Sequence, residues 1–84
     1  MAACWFVYVL RCCDNSLYTG VTTDVQRRLQ EHNSTNKSAR YTRARQPVSL
    51  VYQEEQANRS AACKREAQIK ALTRAQKLEL ISAL

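Results

Sequence analysis

Between Trp5 and Thr22 the chain has one local solution, an antiparallel hairpin, and this limits what everything downstream can build. Trp5 to Arg11 (Trp-Phe-Val-Tyr-Val-Leu-Arg) is a run of aromatic and β-branched residues, which suit a pleated, half-buried surface. Cys13-Asp14-Asn15-Ser16 is turn chemistry, and Leu17 to Thr22 reads as the returning strand. Gly20, the only glycine in the chain, falls inside or at the end of that strand. It marks either a bulge or a place where a ligand or another backbone comes close. If Tyr8 and Tyr18 are to share one face of the hairpin, the loop must hold an odd number of residues. Three are expected, with a bulge as the only other route.

Thr22, Thr23 and Asp24 are N-cap candidates for the next element, and Thr23 with Gln26 fits a capping box. A helix is expected from about Val25 to Asn33, followed by a polar, basic loop over 33–46 with a short helical turn around 39–45. Val48 to Gln53 reads as a third strand. Asn58 or Ser60 opens a helix reaching Leu72, and the Thr73/Gln76 pair opens a last one over Arg74 to Ala83. The order ββαβαα predicts one α+β domain over 1–84, a small, mainly antiparallel three-stranded sheet flanked by helices.

The formal net charge of +6 is unevenly spread. Residues 1–23 balance, 24–46 carry a net +4 and 47–84 a net +2, so the excess lies mid-chain, where a phosphate-binding surface would need it. Simple solubility is the blander explanation. No apolar run approaches the roughly 20 residues of a membrane span, and Met1-Ala2-Ala3-Cys4 lacks a basic signal-peptide region. A cytoplasmic location is expected. Cys4, Cys12, Cys13 and Cys63 lack metal-ligand spacing and read as reduced, partly buried thiols.

On the first helix, Val25, Arg28, Leu29 and His32 form one stripe at i, i+3, i+4 and i+7. Val25 and Leu29 must face the sheet, so Arg28 and His32 share or border the inward face, while Arg27 and Glu31 point outward as an i, i+4 pair. A cation turned toward a core is costly unless it is paired, lines a cleft, or snorkels its head to water. His32 on the same stripe favours the cleft.

The Phe6-Val7-Tyr8 strand, Tyr18-Thr19-Gly20 ten residues later, Arg28, His32, Ala39-Arg40-Tyr41-Thr42-Arg43 and Ala62-x-x-x-Glu66-x-x-Ile69-Lys70 together resemble the GIY-YIG nucleases. The match is to the short stand-alone bacterial members, the URI type, and runs over essentially the whole chain. Phe6-Val7 stands for Gly-Ile, Thr19 for Ile, and Ser38 where a glycine is expected before Ala39. An asparagine found near the C-terminus of some members has no clear counterpart, which bears on the substrate clamp.

The resemblance implies a metal-dependent endonuclease hydrolysing phosphodiester bonds, with DNA favoured over RNA, no membrane role, and no protein partner specified. It implies catalytic roles for Tyr8, Tyr18, Arg28, His32 and Glu66. Glu66 would hold one divalent cation, Mg²⁺ or Mn²⁺. Arg28 would contact the phosphate, Tyr8 or Tyr18 would orient or deprotonate the water, and His32 would relay the proton or hydrogen-bond a tyrosine. Arg27, Lys37, Arg40, Tyr41, Arg43, Arg45 and Lys70 are the expected nucleic-acid contacts. Tyr41 suits base stacking and would equally serve to pin its loop to the core. Two other readings are a catalytically silent nucleic-acid-binding module on the same fold and a small basic protein-interaction domain. The complete set Tyr8, Tyr18, Arg28 and Glu66 favours the nuclease.

Overall fold

In the computed structural model, which describes residues 4–34 and 37–83, the hairpin forms as expected. Strand β1 (Trp5–Arg11) pairs antiparallel with β2 (Leu17–Thr22), with Tyr8 opposite Gly20 and Leu10 opposite Tyr18, so both tyrosines lie on one face. The Cys12 amide donates to the Ser16 carbonyl at 2.9 Å, extending the ladder by one pair and leaving Cys13, Asp14 and Asn15 as the loop. Asn15 adopts a left-handed φ of 69°, which Asn tolerates better than most residues. Met1–Ala3 and positions 35–36 of the expected loop lie outside the described residues.

Strand β3 (Ser49–Gln56) pairs antiparallel along the other side of β1, giving the order β2-β1-β3. It runs three residues past its expected end. Glu54, just past that end, accepts from Arg65 at 2.6 Å and from the Tyr52 hydroxyl at 3.0 Å. The register steps by one, with Val9 opposite Tyr52 but Leu10 opposite Leu50. This bulge lets Val51 and Tyr52 pack on one side of the sheet and Leu50 on the other.

Helices cover both faces. Val7, Val9 and Tyr52 meet Ala62 and Ile69 of α3 (Arg59–Lys70), with Leu80 and Ile81 of α4 (Arg74–Ser82) at the margin. Tyr8, Leu10, Cys12 and Val48 meet Val25 and Leu29 of α1 (Val25–His32) on the opposite face. The expected helical turn is α2 (Arg40–Arg43), and the Thr73/Gln76 capping box opens α4. The α1 cap differs from the expected Thr23/Gln26 box. Asp24 accepts from the Arg27 amide at 3.0 Å, and Thr22 accepts from the Asp24 amide at 3.1 Å. A carboxylate here also suits the positive end of the helix dipole. The cysteines are free, but only Cys12 is buried; the other three are exposed rather than partly buried. Among the described residues no helix is long and apolar enough to cross a membrane.

Candidate active site

The site is built around Tyr8. At the centre of β1 it lies across Gly20, and a Cβ on that glycine would fall 2.5 Å from the Tyr8 Cζ and closer still to its hydroxyl. Gly20 therefore provides space. It is neither a bulge nor a positive-φ position, and what approaches it is a side chain rather than a backbone or ligand.

The Tyr8 hydroxyl lies 2.8 Å from Nε2 of His32, and His32 Nδ1 lies 2.7 Å from the Thr42 hydroxyl. Thr42 Oγ1 also donates to the Ala39 carbonyl at 3.1 Å. His32 and Thr42 are fully buried and Tyr8 is 2% exposed. Burial, aided by the Arg28 charge, lowers the His32 pKa to about 4, so the ring is neutral at physiological pH. Burial pushes the Tyr8 phenol up to about 12, with Tyr18 adding to the effect and Arg28 opposing it. His32 is thus a core residue with both nitrogens engaged. Thr42 was not singled out from sequence; its only signal was its place inside Ala39–Arg43.

Asn33 holds the C-terminal end of α1 against the start of β3, giving and receiving hydrogen bonds with Val48 at 3.0 and 2.8 Å. The Gln46 amide donates to the carbonyls of His32 and Ser34 at 2.7 and 2.6 Å. These bonds fix the turn of helix that carries His32.

Arg28 faces the site and Arg27 faces solvent, with side chains 27% and 62% exposed. Arg28 donates to Glu31 at 3.1 Å and to the Lys37 carbonyl at 3.0 Å. Glu31 is consequently not the outward partner of Arg27 alone: that contact is 4.0 Å, and the carboxylate leans toward the better-buried Arg28. Tyr18, half-buried on β2, sits edge-on to His32 with ring centroids 5.0 Å apart, and stacks on Tyr41 at 5.8 Å.

The basic residues divide. Arg45 is committed to structure, pairing with Asp14 at 3.1 Å, donating to the Tyr41 carbonyl at 2.9 Å and lying 4.0 Å over the Tyr41 ring. Tyr41 is 38% exposed with its ring already stacked, so it pins α2 to the site. Lys37, Arg40 and Arg43 are exposed. Lys70 lies 3.6 Å from Glu66 rather than standing apart. Ser38, flagged as a departure, is buried, and its hydroxyl has no hydrogen-bond partner among the described residues.

Glu66 lies on α3, and its negative charge is the smallest of the influences that raise the Tyr8 pKa. Its side chain is 25% exposed, and its contact with the exposed Lys70 is a weak surface pair. Among the described residues no three His, Cys, Asp or Glu side chains gather as a ligand set. A lone carboxylate such as Glu66 is a donor that Mg²⁺ or Mn²⁺ accepts when waters and phosphate oxygens fill the remaining positions.

The chain is similar to known proteins over most of its length. Residues 4–79 match the family model described as the GIY-YIG catalytic domain. A UPF0213 protein of Desulfotalea psychrophila is 54% identical over 79 residues, covering 94% of this chain and 72% of that protein. One from Streptococcus sanguinis is 55% identical over 76 residues, covering 90% and 86%. Among solved structures, a solution structure of an Enterococcus protein, EF2693 from E. faecalis, superposes with a TM-score of 0.65 at 42% identity, covering 98% of this chain and 86% of that one. The UPF0213 protein BH0048 of Bacillus halodurans gives 0.61 at 41%, covering 95% and 84%.

Proposed function

The chain belongs to the GIY-YIG family, alongside the UPF0213 proteins, and from that premise we propose that it is an endonuclease hydrolysing phosphodiester bonds with one divalent cation at Glu66. The observation that carries this reading is the buried Tyr8–His32 pair, 2.8 Å apart, with the ring of Tyr18 5.0 Å from the same imidazole and Arg28 one turn before it on the same helix.

The pKa values of Tyr8 and His32 decide how the pair works. At about 12 and about 4 they put a pre-formed tyrosinate–imidazolium pair on the order of 10 kcal/mol uphill before mutual attraction. Tyr8 is therefore not a standing base. It accepts a proton from the attacking water only as it passes its own to His32 Nε2, in step with bond formation at phosphorus. Tyr18, whose ring is the more exposed of the two, orients the water. Arg28 exchanges its Glu31 and Lys37 partners for the non-bridging phosphate oxygens. A cation held by Glu66 would supply Lewis-acid stabilisation to the phosphate and leaving oxygen. Arg40, Arg43, Lys37 and Arg27 supply phosphate contacts along the strand, and DNA is the first substrate class to test.

The test incubates the pure protein with Mg²⁺ or Mn²⁺ and labelled single-stranded, duplex and branched DNA and RNA. Metal-dependent cleavage is expected. Arg28→Ala should abolish it and Arg27→Ala should keep most of it, the adjacent residue controlling for charge. Tight, salt-dependent binding without cleavage under any metal would leave the silent binding module in its place.

A further inference from the structure

We propose that Thr42 is a positioning residue that locks His32 in the Nδ1–H tautomer, so that Tyr8 donates its proton inward and keeps a lone pair for the attacking water. The catalytic consequence rests on the nuclease reading above; the tautomer itself does not.

A neutral imidazole has one N–H and one bare nitrogen, and the two are fixed by their partners. The Ala39 carbonyl can only accept, and it lies 3.1 Å from Thr42 Oγ1. With the single hydroxyl proton directed there, the Thr42 oxygen meets His32 Nδ1 at 2.7 Å as an acceptor. Nδ1 then carries the hydrogen, Nε2 is bare, and Tyr8 donates to it at 2.8 Å. All three protons in the trio are used. In the reverse arrangement Thr42 donates to Nδ1 and Nε2–H donates to Tyr8, which expels the phenol proton from the chain. Ala39 then keeps only the Arg43 amide, at 2.9 Å. Since Tyr8, His32 and Thr42 are all buried, the arrangement with one more hydrogen bond prevails.

The chemical difference between the tautomers is absolute. In the Nδ1–H form Tyr8 can take a proton from water and hand one to Nε2. In the Nε2–H form Tyr8 already accepts from His32 and has nowhere to pass a proton.

His32 is the only histidine in the chain, so its ring ¹⁵N signals need no residue assignment; two-bond couplings to the carbon-bound ring protons distinguish Nε2, coupled to both, from Nδ1, coupled strongly to one, and a protonated ring nitrogen resonates far from a bare one. At neutral pH the wild type is expected to show protonated Nδ1 and bare Nε2. Thr42→Ser, which keeps the hydroxyl, should preserve that form and most of the cleavage rate. Thr42→Val should lose the fixed tautomer and at least ~100-fold in kcat with KM little changed. Thr42→Ala gives the same reading if valine crowds the site. A wild-type Nε2–H form, or a Val or Ala variant that retains the Nδ1–H form at any cleavage rate, overturns the proposal. If the wild type cuts no substrate, the nuclease reading fails, while the ring-nitrogen spectra still decide the lock.

Discussion

Gly20 and His32 show how single residues set the site's geometry. Gly20→Ala would drive a methyl group into the Tyr8 hydroxyl, so the variant should lose about 1–3 kcal/mol by overpacking and shift Tyr8 off His32. Thermal or urea unfolding should show that loss in the wild-type background and not in a Tyr8→Ala background. An equal loss in both would mean the tyrosine is not the obstacle. His32 makes a pH prediction whose sign follows from its depressed pKa. The unfolded chain, with a histidine near 6.5, binds more protons than the folded one between about pH 6.5 and 4. The His32 contribution to stability is therefore intact above pH 6.5 and falls as pH drops, by about 3 kcal/mol at pH 4. The ring protons of this sole histidine should not titrate near 6.5 in the folded protein; a mid-point there would refute its buried, neutral state. The inward placement of Arg28 and His32 was legible, because a helical stripe reports which face a side chain takes. Gly20 was legible as special but not for its reason, since a cross-strand collision depends on register. Thr42 was not legible: a polar residue in a four-residue helix has no periodicity, and only its hydrogen bonds reveal it.

Elements were read well wherever pattern and packing coincide. The bounds of β1 and β2 match the alternation and turn residues that flank them, and α4 starts at its capping box. Departures occur where tertiary partners override local polarity. β3 continues through Glu54 because Arg65 on α3 receives its charge, and α3 stops at Lys70 rather than Leu72. Within the basic 37–45 segment, sequence treated Arg40, Arg43 and Arg45 alike, but the fold does not. The Cys13 amide donates to the Arg45 carbonyl at 3.0 Å while the Arg45 side chain reaches Asp14, tying the hairpin loop to the end of α2. Arg40→Ala and Arg43→Ala should each lower the slope of log affinity against log salt by roughly 0.7–0.9 with stability unchanged. Arg45→Ala should leave the slope nearly intact and reduce thermal stability. A full phosphate-contact slope change for Arg45→Ala, with an unchanged melting temperature, would show that this residue is free to serve the nucleic acid after all.

At the scale of the molecule, the proposed site draws on the sheet and on helices from both its faces. Tyr8 comes from β1, Tyr18 from β2, Arg28 and His32 from α1, Thr42 from α2, and Glu66 from α3, which packs on the side away from α1. Most of the binding charge and the carboxylate proposed to hold the cation are carried by different parts of the chain: the 24–46 segment holds net +4, whereas Glu66 sits on a helix that is not its neighbour in sequence. Glu66→Gln uses that separation. It keeps the side-chain size and removes the negative charge that a hard cation requires, so cleavage should fall by orders of magnitude. Affinity should survive, because counterion release from the basic segment supplies most of it, and should rise slightly if the carboxylate repels phosphate when no metal is held. The same substitution removes one of the charges that raise the Tyr8 pKa, so an unchanged fold with a Tyr8 titration moved downward would place the carboxylate in the field of the phenol without reference to activity. Cleavage rate, salt-dependent affinity and circular dichroism on wild type and variant complete the test. A folded Glu66→Gln protein that cuts at the wild-type rate removes Glu66 from the site, and a variant that loses binding together with cleavage means charge and chemistry are not separable in this fold.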